Sequence, residues 1–252
     1  MKHLLTLCIL VAFATDYANA VVIVNPPRPI THTVTVQPVI VSNDDGSNTA
    51  NYLSDTGNEG LILGEIDQIW AQAGIDVEWL TPNTWNSTLA NFGSAGNGTR
   101  PNDDLLSLPG LADAAGVSSP DPATINMYFM QVPPGTGPGG PSFARTRLLS
   151  GSTFIRLSDR PPFDRPLATG VSTVLSRAMA FSFGLNDNSE PDNLLGPLTG
   201  SNFSERLNDT QIAAALESGF VVVIPEPTTL ALLGVATLAL VSRRRPRLIQ
   251  PS

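Results

Sequence analysis

The stretch whose residue types and spacing most resemble a chemical site is 174–197, VLSRAMAFSFGLNDNSEPDNLLGP. Leu175, Ala178, Met179, Ser182 and Phe183 recur at three- and four-residue spacing, so an apolar stripe runs down one face of a helix. Gly184 ends that stripe, as a C′ glycine does. A polar loop follows from Asn186 to Pro191, then a short turn closing on Gly196 and Pro197. The loop's carboxylates, Asp187, Glu190 and Asp192, are of a type that can hold calcium or another hard cation. Softer metal and nucleophile chemistry is short of residues. The sequence has two histidines, His3 and His32, and one cysteine, Cys8, and both His3 and Cys8 lie in the first twenty residues. Without them a three-His zinc site, a zinc finger, a disulfide framework and a cysteine nucleophile are all excluded. A Ser-His-Asp triad would need His32, which lies in an N-terminal run rich in proline and valine.

The order of helix, glycine, polar loop and Pro-closed turn resembles the metzincin metalloproteases, whose helix reads HExxHxxGxx followed by a third ligand. Gly184 sets the register of that resemblance. It implies Arg177 at the first ligand position, Ala178 at the general base, Phe181 at the second ligand and Asp187 at the third. The stretch Asn193-Leu194-Leu195-Gly196-Pro197 resembles the Met-turn, with Leu195 where methionine stands in the family. The family motif works because two histidines four apart share a helix face and bind one ion, while the glutamate acts on the metal-bound water. Here each part fails. Arg177 is cationic, Phe181 has no lone pair to donate and Ala178 cannot accept a proton. Only Asp187 can ligate. The resemblance therefore implies a scaffold with no catalytic residues, no metal and no cofactor, in which Arg177 and Asp187 approach within about 6 Å and fill the former metal site as an ion pair.

The elements that must position these residues are predicted as follows. The alternation of Thr31 to Val36 predicts a strand that continues to Val41, with His32 on its surface rather than a lone metal ligand. Residues 42–51, SNDDGSNTAN, read as a loop; placing Gly46 at the EF-hand glycine puts Val41 and Tyr52 at the end positions, where neither can ligate. Residues 60–74 form the long first helix, with Leu61, Ile62, Ile66, Ile69 and Trp70 inward and Gly74 as its stop. Residues 75–80 form a strand. Residues 81–120 are predicted to be mostly loop, with a turn or two of helix at 105–115. Residues 124–132 form an apolar strand and 148–157 a further one. Between them, Gly135, Gly137 and Gly140 match G-x-G-x-x-G, but Pro138 and Pro141 rule out a dinucleotide loop. The helix at 167–183 precedes the turn, and a C-terminal helix at 207–220 follows it, capped by Asn208 or Asp209. The fold class predicted is α+β, a metzincin-like twisted mixed sheet with a long first helix, a central helix at the former active site, a Met-turn-like loop and a C-terminal helix, plus a C-terminal transmembrane helix.

Both flanks carry addresses. Residues 1–20 have a basic start at Lys2 and His3, an apolar run, and Ala18-Asn19-Ala20 before Val21, the pattern of a cleaved secretory signal peptide. Residues 21–220 form the exported domain. Between Val21 and Ile224 there are 9 Arg, no Lys and 20 Asp or Glu, a balance of 9 − 20 = −11 that repels nucleic acid and anionic lipid. Residues 221–252 hold Pro225, Glu226 and Pro227, an apolar run at 228–242, and Arg243, Arg244, Arg245 and Arg247. This region resembles the PEP-CTERM sorting signal of Gram-negative envelope proteins. The 15-residue run can cross a bilayer with thinning or flanking adjustment, and the arginines hold its end in the cytoplasm. The resemblance implies transient inner-membrane anchoring and an envelope sorting protease or transpeptidase as partner. Delivery would then be to the cell surface or extracellular matrix, where a polysaccharide or protein is the ligand expected. The function expected is binding by a catalytically inactive body. The alternatives are a hydrolase using a non-zinc, carboxylate-held metal at Asp187, Glu190 and Asp192, or an unrelated structural surface protein.

Overall fold

A computed structural model describes residues 24–53, 57–93, 104–132, 143–147, 152–156, 167–196 and 204–225. The expected signal peptide at 1–20, the Gly-rich loop, the apolar run at 228–242 and the Arg-rich end lie outside these residues. Among the described residues no helix is long and apolar enough to cross a membrane.

Strand β1, His32–Ser42, is the axis of the sheet. Its β-branched residues suit a strand buried on both faces. One edge pairs in parallel first with β2, Ile75–Trp79, and then with β3, Asn83–Asn86. The opposite edge pairs antiparallel with β7, Val221–Val223, through residues 32–34, and parallel with β4, Thr124–Phe129, through residues 35–40. Beyond β4 come β6, Ser152–Arg156, in parallel and β5, Phe143–Arg147, antiparallel on the outside. The result is a mixed, mostly parallel seven-stranded sheet.

Side-chain alternation gives this sheet two cores. On one face Val34 and Val36 of β1, Ile125, Met127 and Phe129 of β4 and Ile155 of β6 are buried with helices α1, Glu59–Ala71, and α4, Leu167–Ser182. On the other, Val39, Val41, Tyr128, Met130 and Phe154 pack with α2, Thr88–Phe92, and α3, Asp104–Ala114. Helix α5, Asp209–Leu216, adds Ile212 and Ala215 to the first core. Tyr128 stacks on Phe154 at 5.2 Å, and Trp70 of α1 meets Phe183 edge-on at 4.8 Å, joining α1 to the end of α4.

The predicted helices at 60–74, 167–183 and 207–220 correspond to α1, α4 and α5, and the strands at 75–80 and 124–132 to β2 and β4. One expectation is corrected. Most of the described residues between 81 and 120 are not loop: β3, α2 and all of α3 lie there, and the turn or two of helix expected at 105–115 is the full helix α3. Ser87 caps α2 by accepting the Ala90 amide, and α3 runs for eleven residues through Pro109. Of the strand expected at 148–157, the described residues 152–156 form β6. The antiparallel edge strand β5 was not anticipated.

Candidate functional site

Helix α4 leans its apolar stripe on α1 and the sheet, with Leu175, Ala178, Met179 and Ala180 fully buried. Its end is a Schellman motif. The Leu185 amide donates to Ala180 carbonyl at 3.0 Å and the Gly184 amide to Phe181 carbonyl at 3.0 Å. Gly184 has φ +82°, so a side chain there would be strained. This stop turns the chain back over the helix and carries Asp187 toward it.

Arg177 meets that returning chain. It is buried at 9% exposure, a cost that its partners must offset. Nη1 donates to the carbonyl oxygens of Leu194 at 2.6 Å and Gly196 at 2.9 Å. Nη2 donates to Asp187 Oδ1 at 2.5 Å. The guanidinium carbon lies 5.9 Å from the Phe181 ring centroid, one turn further along the helix. Burial lowers the Arg177 pKa, and the Asp187 charge pushes it back up. Arginine keeps its proton under any such shift, so the site carries a fixed positive charge.

The turn that supplies the two carbonyls is itself held. Leu195 is fully buried in the core, its amide bonded to Asn193 Oδ1 at 2.9 Å and its carbonyl accepting the Asn188 amide at 2.9 Å. Asn193 and Gln211 of α5 exchange two amide hydrogen bonds at 2.7 and 2.8 Å, both residues buried. Gln211 also completes a capping box with Asn208. Gly196 has no room for a Cβ, which would overlap the Glu190 carbonyl and touch Asn193's. One turn back along α4 from Arg177, Thr173 donates to Glu205, a carboxylate only 1% exposed, at 2.9 Å.

Arg177 therefore meets Asp187 and the carbonyls on either side of Leu195, with the Phe181 ring beside its guanidinium. Ala178 does not join them; it is part of the core. The residues present do not fit a zinc ion. The guanidinium occupies the space between Asp187 and the turn with its own positive charge, and Phe181 brings no donor atom. The carboxylates Asp187, Glu190 and Asp192 do not gather either. Glu190 accepts from Asn193 and Asn208 while Asp187 faces Arg177. Among the described residues no three His, Cys, Asp or Glu side chains are placed to hold a metal. His32 shares a hydrogen bond with the Thr31 hydroxyl at 2.8 Å on the strand surface. Asp45 serves its own loop, accepting the Ser47 amide and hydroxyl, while Asp44 accepts the amide of Thr88 at the start of α2. The Leu194 and Gly196 carbonyls and the Asn193–Gln211 pair were not foreseen. Backbone acceptors leave no signature in a sequence.

The family model for the PEP-CTERM protein-sorting motif matches residues 223–245. The chain carries that motif, with Pro225, Glu226 and Pro227 near its start and Arg243 to Arg245 at its close. No curated protein matches the chain in sequence. Among solved structures the chain is similar to archaemetzincin from Methanopyrus kandleri, at 12% identity over 73% of this chain and 93% of that one, with a TM-score of 0.45. It is similar to metalloproteinase-II from Bacteroides fragilis, at 11% identity over 83% of this chain and 60% of that one, with a TM-score of 0.49. A zinc-dependent peptidase from Methanocorpusculum labreanum is similar at 8% identity over 72% of this chain and 99% of that one, with a TM-score of 0.47.

Proposed function

We propose that the chain is an exported surface protein whose body keeps a metzincin-like scaffold without its metal chemistry and acts by binding. A PEP-CTERM motif suggests export and sorting by exosortase at the membrane. The signal peptide at 1–20 would deliver the chain, the segment at 228–242 would anchor it until processing, and Arg243, Arg244 and Arg245 would stay cytoplasmic. The ligand class consistent with such a destination is a matrix polysaccharide or protein.

One observation carries the pseudo-protease reading. The Arg177 guanidinium is satisfied by Asp187 and two backbone carbonyls at the point where a metal and its water would have to act. A divalent ion placed there would meet a fixed cation, and Ala178 offers no base to the water. The test is a peptidase assay of the purified exported chain on peptide and protein substrates, with added zinc and with chelator, beside elemental analysis of the protein. The expected result is no cleavage and no stoichiometric metal. Chelator-sensitive cleavage would overturn the reading and restore the enzyme.

A further inference from the structure

Strand β7 joins the folded body directly to the sorting motif. The motif match begins at Val223, which is still paired with His32 of β1. The Ile224 amide donates to Thr31 carbonyl at 2.9 Å, so the chain stays bound to the sheet until the residue before Pro225. Only Pro225, Glu226 and Pro227 separate Ile224 from the apolar run that opens at Thr228. Fully extended, that connection spans at most about 14 Å.

The surface at this exit is apolar. Of the seven large hydrophobic residues exposed among the described residues, four lie here: Ile30 at 46%, Val222 at 51%, Val223 at 64% and Ile224 at 39%. Val222 and Val223 are successive strand residues and point to opposite faces. Both are open, so the C-terminal end of β7 is uncovered, while Val221 at its start packs against the first core. The other end of the sheet is different in kind. There α2 and α3 cover β1, and single exposed residues such as Leu89 are scattered.

We propose that Ile30, Val222, Val223 and Ile224 form a membrane-contact strip, resting on the lipid surface while the 228–242 segment is anchored. The proposal depends on the sorting-motif reading of that segment. The short tether places the strip at the headgroup level, and its side chains suit the apolar side of that boundary. A body with a balance of −11 is repelled by anionic lipid, and an apolar contact close to the anchor offsets that repulsion. A second copy of the chain pairing along β7 is the competing occupant. The strand offers only three residues for such pairing, and the tether favours lipid.

Depth-dependent quenching tests this. Cys8 is the only cysteine in the sequence and lies in the leader, so single probes are easily placed in the exported chain. The full exported chain, with Val222→Cys or Leu89→Cys carrying an environment-sensitive fluorophore, is reconstituted in phosphatidylcholine–phosphatidylglycerol vesicles containing a headgroup nitroxide lipid. Leu89 follows the strand paired at the far end of β1, about 30 Å from His32. The expected result is quenching about threefold stronger at position 222 than at 89. Equal, weak quenching of a chain that still resists alkaline extraction overturns the strip and leaves the sorting reading intact. Extraction of the chain by alkali removes both. Crosslinking between copies through position 222, with no quenching, assigns the strip to a second copy and overturns the lipid contact.

Discussion

Arg177 Nη2 and Asp187 Oδ1 are 2.5 Å apart, yet their side chains are 11% and 69% exposed. The two residues share a bond but not an environment. The arginine depends on the partners it has, because it is enclosed by the helix and the turn. The carboxylate can trade its arginine for water.

That difference predicts unequal costs. Asp187→Asn leaves a guanidinium with two carbonyl partners and access to water on the exposed side, and should lower stability by about 1 kcal/mol. Arg177→Met strips the Leu194 and Gly196 carbonyls of their donor in a buried place, and should cost about 3 kcal/mol. Urea unfolding of the two variants checks the order. Equal losses would mean that the carboxylate, not the pair of carbonyls, holds the arginine.

The turn itself should be intolerant of a methyl group. A Cβ at Gly196 overlaps the Glu190 carbonyl, which is backbone and cannot swing away. At Gly184 a Cβ meets nothing within 4 Å, and only the positive φ opposes it. Gly184→Ala should cost about 1 kcal/mol. Gly196→Ala should cost clearly more and should also disturb Arg177, whose Nη1 bonds to that residue's carbonyl. Thermal melts and the amide signals of residues 193–196 would show both effects.

These two glycines also mark how far the sequence could be read. Helix α4 and its stop were legible, because a three-and-four apolar spacing ending in glycine leaves few alternatives. The approach of Arg177 to Asp187 was legible from opposite charges at two positions of one motif. Helix α3 was legible only as a turn or two at 105–115; Pro109 and Gly110 stand at its middle, and burial of Leu108 and Ala112 against the second core carries the helix across them. Strand β5, Phe-Ala-Arg-Thr-Arg, has too short and too charged a pattern to stand out beside a Pro/Gly run. Its strand state comes from pairing with β6, which is information held by another segment.

Asp67 gives the fold a pH dependence. Burial in α1 chiefly, and the charge of Asp76 in addition, push its pKa up to about 6, against a lesser lowering by the Val77 backbone. The folded pKa is raised above the unfolded one, so the ionised form is disfavoured by folding. The penalty is complete above pH 6 and fades as pH falls toward 4. Asp67→Asn should therefore stabilise the protein at pH 7.5 by about 1 kcal/mol, discounted for partial exposure, and have little effect at pH 4. Denaturant midpoints at the two pH values measure the difference. A uniform gain at both would show that the carboxylate is not titrating in this range.

The proposal that 177, 181 and 187 mark a former metal site can be tested by putting ligands back. Arg177 and Phe181 lie four residues apart on α4 and both approach Asp187 or its partner arginine. An imidazole is shorter than an arginine side chain, but one Zn–N bond of about 2.0–2.1 Å recovers nearly the lost reach. The double variant Arg177→His with Phe181→His should present two nitrogens and the Asp187 carboxylate to one ion, and should bind one zinc per chain. Zinc should also raise its melting temperature, because binding to the folded form alone stabilises it by mass action. Arg177→His alone should bind weakly. Adding Asp187→Ala to the double variant should abolish tight binding, which separates a designed three-ligand site from adventitious zinc on surface carboxylates. No peptidase activity should return with the metal, because Ala178 still offers no base to its water. If the double variant folds and takes up no zinc, then 177, 181 and 187 are not the vertices of an old metal site, and the arginine is simply a clamp on the turn.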